Sequence, residues 1–361
     1  MLYPAQVFFF MPHKHSTSAH QSPMIERCLK ALCTLASVLF YRDRRHADWL
    51  YEKMNRPETY VFQFMNVLYY LTRKPRIFKV ISLVIEPVYG CNLNCSYCWY
   101  SITHYFEHKS RRTKFMPLSL FKKAIDHSPD SVESVAFALI GEPLLHPEIH
   151  TMIAYARSKG LRTVLYTNGT LLAGNVKARI AESGLDVLVI SAEPDSNNSL
   201  KHRGVKLETI KARIDDFLKI KPDAMEVKLS VVVHQDNVDA IPDIENQYRG
   251  IIKHIKLSPM IRYNGTRSTS RCIEPWRGSL GILTNGDVTP CCVSAGYRPI
   301  TVGNLKNHNL NDMISGPAFK TCLTDLTKGN RPDVCHRCRA YQRKDIPLRV
   351  PALSGKPRIT H

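Results

Sequence analysis

The sequence lacks any long hydrophobic run. Its longest early apolar segment, Ala31 to Tyr41, is about half the ~20 residues that a helical membrane span requires. Multi-span helical membrane classes are therefore excluded. A secretory signal is also missing, because the first apolar stretch, Val7 to Phe10, is too short for one. The 11 cysteines are accordingly not read as a disulfide framework, and a cytoplasmic location is expected. Acidic residues are scarce, 31 Asp and Glu against 50 Lys and Arg, for a net charge of +19. Much of the excess lies at the ends: residues 1–84 carry 12 basic against 5 acidic side chains, and 339–361 carry 6 against 1. No nucleic-acid-binding motif accompanies the charge, so nucleic acid is not an expected partner. With 44% hydrophobic and 22% charged residues, disordered and collagen-like classes drop out. A chain of 361 residues leaves room for about two domains.

Residues 1–23 are rich in His, Ser and Pro and show no sustained period, so they are expected to lack fixed structure. From 24 to 78 the apolar spacing of Leu29, Leu32, Leu35 and Leu39 predicts a helical extension. Within it, basic residues flank the Ala31–Tyr41 stretch, which allows peripheral membrane contact through residues 24–45 as well as ordinary packing. Cys28 and Cys33 are read as buried structural thiols.

At residue 79 the pattern changes. Six short β-branched runs (Lys79–Ile85, Val135–Ile140, Arg162–Tyr166, Leu185–Ile190, Glu226–Val233 and Ile252–Leu257) alternate with amphipathic segments at 118–127, 147–159, 171–183, 207–220 and 238–248. Such alternation specifies parallel strands joined by helical crossovers. Six units are too few for a closed eight-stranded barrel, so residues 79–270 are predicted to form an α/β fold, a partial (β/α)6 barrel. Functional groups in such folds collect at the carboxyl ends of the strands. The segments in those places are Cys91-Asn-Leu-Asn-Cys95-Ser-Tyr-Cys98, Gly141-Glu142-Pro143, Asn168-Gly169, Ser191-Ala-Glu193 and His234.

Cys91, Cys95 and Cys98 can face one soft metal centre from a single loop, and no cysteine follows until Cys272. Structural zinc is normally closed by four ligands, so a set of three argues against it. An iron-sulfur cube held by three thiolates keeps one iron open. The spacing Cys91-x3-Cys95-x2-Cys98, with aromatic Tyr97 before the last cysteine, resembles the signature of radical SAM enzymes. The resemblance implies a [4Fe-4S] cluster whose open iron binds S-adenosylmethionine, and reductive cleavage of that cofactor to a 5′-deoxyadenosyl radical. It also implies a low-potential electron donor such as flavodoxin or ferredoxin.

The same resemblance assigns candidate contacts to S-adenosylmethionine. Gly141, Glu142 and Pro143 resemble the motif that meets its amino group through backbone carbonyls and a carboxylate, although Ile140 stands where a first glycine is usual. Ser191 resembles a ribose contact, and a strand-end cap is the alternative. Arg203 stands where an arginine meets the carboxylate, and a solvated surface residue is the alternative. Asn168 and Gly169 are expected to shape a turn first and touch ligand second. A structural role is expected for His234.

The second cysteine group contains Cys272, Cys291 and Cys335-x2-Cys338, with a hairpin signal at Thr284-Asn285-Gly286 that folds Cys291 back towards Cys272. By spacing, zinc and iron-sulfur are both allowed. From Cys272 through Trp276, Gly286, Gly303-Asn304-Leu305 and Cys338, the run resembles the SPASM/twitch extension of radical SAM proteins. That implies an auxiliary [4Fe-4S] cluster on Cys272, Cys291, Cys335 and Cys338 within residues 271–340. Cys292 is an alternative to Cys291, and Cys322 an extra or substitute ligand. A basic tail, 341–361, follows.

A second, fully ligated cluster favours net oxidation. The expected reaction is therefore dehydrogenation of a small polar or carbohydrate-like substrate; the alternative is a maturase that oxidises, cross-links or epimerises a peptide. A zinc-binding module contacting nucleic acid is the non-enzymatic reading, and it explains neither the open three-cysteine loop nor the rim glutamate.

Overall fold

Runs such as Val187–Ser191 are apolar without alternation, as suits strands covered on both faces. In the computed structural model of the chain, the described residues are 57–98, 101, 114–234, 236–252, 254–259, 272–292, 295, 300–336, 348–350 and 358–360. The expectations for residues 1–56, including the 24–45 segment, lie outside them. Helix α1 (Pro57–Leu71) is followed by β1 (Ser82–Ile85), then by a two-stranded ribbon of β2 (Val88–Tyr89) and β3 (Lys114–Phe115). Next come α2 (Leu118–Asp126), β4 (Ser134–Phe137), α3 (Ile149–Ser158), β5 (Arg162–Thr167) and α4 (Gly174–Glu182). Then follow β6 (Val187–Ser191), α5 (Leu207–Leu218), β7 (Glu226–Val233), α6 (Ile241–Gln247) and β8 (His254–Pro259).

The six alternating runs pair in parallel and in chain order, β1-β4-β5-β6-β7-β8. The helices between them bury one stripe each: Leu120, Phe121, Ala124 and Ile125 on α2, Ile149, Met152, Ile153 and Ala156 on α3, and Leu207, Ile210, Ile214 and Phe217 on α5. This is the predicted α/β fold with a partial barrel.

The sheet also runs beyond those six strands. β9 (Ser279–Ile282) lies parallel to β1, with Ser82 opposite Ser279 and Ile85 opposite Ile282. β10 (Asp287–Thr289) and β11 (Gly303–Asn304) continue antiparallel, giving nine strands. The hairpin predicted at Asn285-Gly286 joins β9 to β10, with Asp287 N–H donating to Asn285 Oδ1 at 3.1 Å. Its other end is fixed by buried Glu86, whose Oε2 accepts from Thr284 Oγ1 at 2.7 Å and Thr284 N at 3.1 Å. Helix α1 docks on the same region: Trp276 is buried and donates Nε1–H to the Lys74 carbonyl at 3.2 Å, while Asn66 Oδ1 accepts from Phe78 N at 2.6 Å. Two further helices follow, α7 (Leu310–Ser315) and α8 (Pro317–Lys328). In the basic tail, Leu348–Val350 pairs antiparallel with Arg358–Thr360. No helix among the described residues is long and apolar enough to cross a membrane.

Candidate functional site

The three-cysteine loop leaves the β1–β2 end of the sheet and is fastened on several sides. Glu142 N–H donates to the Gly90 carbonyl at 2.8 Å, just before Cys91. Within the loop, Leu93 N–H points to Cys91 Sγ at 3.4 Å and Cys98 N–H donates to the Cys95 carbonyl at 3.0 Å. Ser96 N–H donates to the His202 carbonyl at 2.7 Å, and Ser96 Oγ meets His202 Nδ1 at 2.8 Å. Tyr97 donates its hydroxyl proton to Glu193 at 2.6 Å. Asn92 bonds to Asn168 at 3.0 Å and to Thr170 at 2.7 Å.

Cys91, Cys95 and Cys98 are half-buried. Burial pushes the Cys91 thiol up to about 11, and the charges of Glu142, Cys98 and Cys95 add to the effect. Burial also raises Cys95, while the Arg203 guanidinium beside it pulls the other way. Sulfurs that feel one another's charge from a single loop suit a metal cluster with three thiolate ligands. The metal would displace the protons that burial otherwise retains.

Asn168 is the hub beneath this loop. Its Nδ2 approaches Cys91 Sγ at 3.7 Å, and its Oδ1 closes an Asx turn on Thr170 N at 2.9 Å. The turn thus presents a thiol contact as well as shape. Gly169 follows with φ +80, where an added Cβ would meet Ile190 at 3.0 Å.

Glu142 is held by the fold itself. Its carboxylate is buried and spent inside the fold: Oε1 accepts from Leu144 N at 3.0 Å and Thr167 Oγ1 at 2.7 Å, and Oε2 from Asn168 N at 2.7 Å. Desolvation raises its pKa against those three bonds. The physical reason is the short turn Pro143–Leu145, which Glu142 caps. Gly141 is required by contact: a Cβ there would lie 1.9 Å from the Val88 carbonyl oxygen. Pro143 is buried at the start of that turn.

Arg203 is no surface residue. It is 3% exposed and donates to the Ser191 carbonyl at 2.7 Å and the Asn168 carbonyl at 3.0 Å, tying β5 and β6 ends together next to Cys95. Ser191 therefore enters the site through its backbone. His234 is buried near Glu193, which also accepts from Asn237 at 2.8 Å. Sequence reasoning placed Glu193 on the rim without a role and did not single out His202 or Asn237. Glu193, two residues past a strand end, and His202, next to Arg203, were the available signals.

In the second cysteine group Cys291 is buried, Cys272 and Cys335 are half-buried, and Cys338 lies outside the described residues. Thr289 Oγ1 accepts from Cys291 N–H at 3.2 Å. Cys322, on α8, is close enough to Cys335 for that thiol to add to burial in pushing it up to about 11. Cys292 Sγ faces Gly281 on β9.

A family model described as the Radical SAM superfamily matches residues 85–247, and one described as an iron-sulfur cluster-binding domain, SPASM, matches 272–339. Residues 85–247 are a radical SAM domain. The chain thus carries a radical SAM domain and a C-terminal SPASM domain, which imply S-adenosylmethionine, a [4Fe-4S] cluster and auxiliary iron-sulfur binding in the SPASM region as cofactors. It is 28% identical, over 45% of this chain and 46% of the relative, to a tungsten-containing aldehyde ferredoxin oxidoreductase cofactor-modifying protein of Pyrococcus furiosus. It is 27% identical, over 44% of this chain and 42% of the relative, to an AdoMet-dependent heme synthase of Nitratidesulfovibrio vulgaris. The matched stretch thus spans less than half the length of these curated relatives. The radical SAM fold is shared with Streptococcus suis SuiB solved with its precursor peptide SuiA, at TM-score 0.56 and 16% identity, covering 76% of each chain.

Proposed function

We propose that this radical SAM enzyme carries out a net two-electron oxidation, a dehydrogenation, of a small polar or carbohydrate-like substrate. The observation that carries the reading is the second cysteine group, Cys272, Cys291 and Cys335 with Cys338, on the segment that extends the barrel sheet through β9 and β10. When bound, the cofactors supply a 5′-deoxyadenosyl radical to remove a substrate hydrogen and an auxiliary cluster to take up the second electron. The chain's own part is positioning and shielding. Cys91, Cys95 and Cys98 hold the first cluster; Asn168 and Arg203 orient the loop that bears them; the backbone carbonyls near Gly141 and Pro143 meet the cofactor's amino group. Ser191 lines the same rim. The net positive charge favours an anionic or polar substrate. A reducing compartment, the cytoplasm, and a donor of the flavodoxin or ferredoxin type suit half-buried thiols that must stay reduced.

The test is anaerobic. Protein reconstituted with iron and sulfide is reduced with S-adenosylmethionine and a substrate panel of aminocyclitols, sugars, peptides and Fe-coproporphyrin. About eight irons per chain are expected, with 5′-deoxyadenosine formation abolished in Cys98→Ala. Cys335→Ala is expected to lower iron to about four per chain, retain deoxyadenosine formation and lose the oxidised product. Product formation unaffected by Cys335→Ala, or turnover of a peptide alone, overturns the reading.

A further inference from the structure

Beside the cysteine loop, two imidazoles and a carboxylate converge from separate segments. His202 lies in the turn Ser199–Arg203 after β6, and His234 directly follows β7. Asp236 stands two residues beyond His234. One ligand atom from each lies within 4.8 Å of the others. The two rings meet edge to face at 4.7 Å.

Both Nε2 atoms are buried and have no hydrogen-bond partner among the described residues. His234 is 3% exposed. A buried ring nitrogen without a hydrogen bond is costly and rare, and here there is one on each of two rings in contact. The remaining groups around them are Glu193, whose Oε2 lies 3.8 Å from His234 Nε2, and Asp236 Oδ2, 3.4 Å from His202 Nε2 and 2.6 Å from Lys201 Nζ. The Tyr97 ring packs 6.0 Å from His202 and 6.2 Å from His234. On the far side of His202, Nδ1 meets Ser96 Oγ at 2.8 Å. An ion on Nε2 would require Nδ1 to carry the proton and Ser96 Oγ to accept it, the arrangement of a metal-ligating histidine oriented by an outer partner.

We propose that His202, His234 and Asp236 form a mononuclear site for a first-row divalent cation, separate from both cysteine groups, with Glu193 beside His234 as an additional oxygen donor. Two imidazoles and a carboxylate are a donor set for zinc, ferrous iron or their neighbours. Ligand atoms around zinc stand about 3.4 Å apart at bond lengths near 2.0–2.1 Å, so occupancy draws the three groups together by about 1 Å. Because His202 carries Ser96 and Glu193 carries Tyr97, such an ion would pin the Cys95–Cys98 stretch to the β6 and β7 ends.

Zinc is the probe. Untagged holoprotein, anaerobically reconstituted, is incubated with zinc sulfate, desalted and analysed for zinc and iron together. The expected result is about one zinc per chain at unchanged iron, with nitrogen and oxygen but no sulfur ligands in zinc X-ray absorption. The variant His234→Ala should lose at least about fivefold of the zinc while keeping its iron. Should that variant fail to fold, Asp236→Asn, on the exposed side of the cluster, should weaken zinc binding at least about tenfold. Uptake below about 0.2 zinc per chain in wild-type holoprotein, sulfur ligation, or zinc retained at full level by a folded variant overturns the proposal. The result stands apart from substrate turnover.

Discussion

Replacing Glu142 separates two roles for a rim carboxylate. In the structure it accepts Leu144 N–H, Asn168 N–H and the Thr167 hydroxyl, at 3.0, 2.7 and 2.7 Å. Glu142→Ala leaves three buried donors, each worth about 1–3 kcal/mol when unsatisfied. Relief of the carboxylate's own desolvation returns part of this, so the net loss is about 3 kcal/mol. For a chain of this size the melting temperature should fall by about 4 °C. Glu142→Gln keeps an oxygen for Leu144 and Thr167 but sets an amide N–H against Asn168 N–H, and should cost about 1–2 kcal/mol. The damage should pass through Asn168 to Cys91, so iron content falls together with stability in Glu142→Ala. The assay is anaerobic thermal melting of reconstituted protein, with iron per chain and S-adenosylmethionine binding measured on the same samples. Unchanged melting and iron, with cofactor binding lost, would refute the reasoning, since the carboxylate would then act on the cofactor and not inside the fold.

Gly141→Ala drives a Cβ to within 1.9 Å of the Val88 oxygen and 2.6 Å of the Gly90 oxygen; it should yield insoluble protein or less than about half the wild-type iron, and iron analysis decides. Thr284→Val removes the 2.7 Å bond to buried Glu86 and should lower stability by about 1–3 kcal/mol in urea unfolding. His146 is held neutral, its Nε2 donating to the Met116 carbonyl at 2.9 Å and its Nδ1 accepting from Glu148 N at 3.1 Å, and burial lowers its pKa. Below about pH 6.5 the unfolded chain takes a proton that folded His146 refuses, so stability falls as pH falls, by up to about 1.4 kcal/mol per pH unit. Raised Glu86 and Glu142 take up protons in the folded state first and pull in the opposite sense. The quantity to read is therefore the flatter acid limb of His146→Gln against wild type between pH 7.5 and 5.5; parallel curves would count against the assignment.

The sequence by itself determined the six parallel strands, because a β-branched run between amphipathic segments has one way to bury both faces. It also determined the three-thiol loop, since ligands spaced by three and two residues need no distant partner to face one centre. The Asn285-Gly286 hairpin was legible for the same local reason. What lay beyond the sequence depends on chain segments far apart. That β9 lies parallel along the outer edge of β1 follows from packing across nearly 200 residues, and no local pattern carries it. For Glu142, strand-end position shows where a carboxylate is, and only the structure shows the Leu144, Thr167 and Asn168 donors around it. Arg203 could be buried or solvated until two carbonyls, on Ser191 and Asn168, were brought within its reach. Only the tertiary structure places His202 against His234 with neither Nε2 hydrogen-bonded among the described residues, since one lies in a turn beyond β6 and the other directly after β7, and no local pattern brings those segments together.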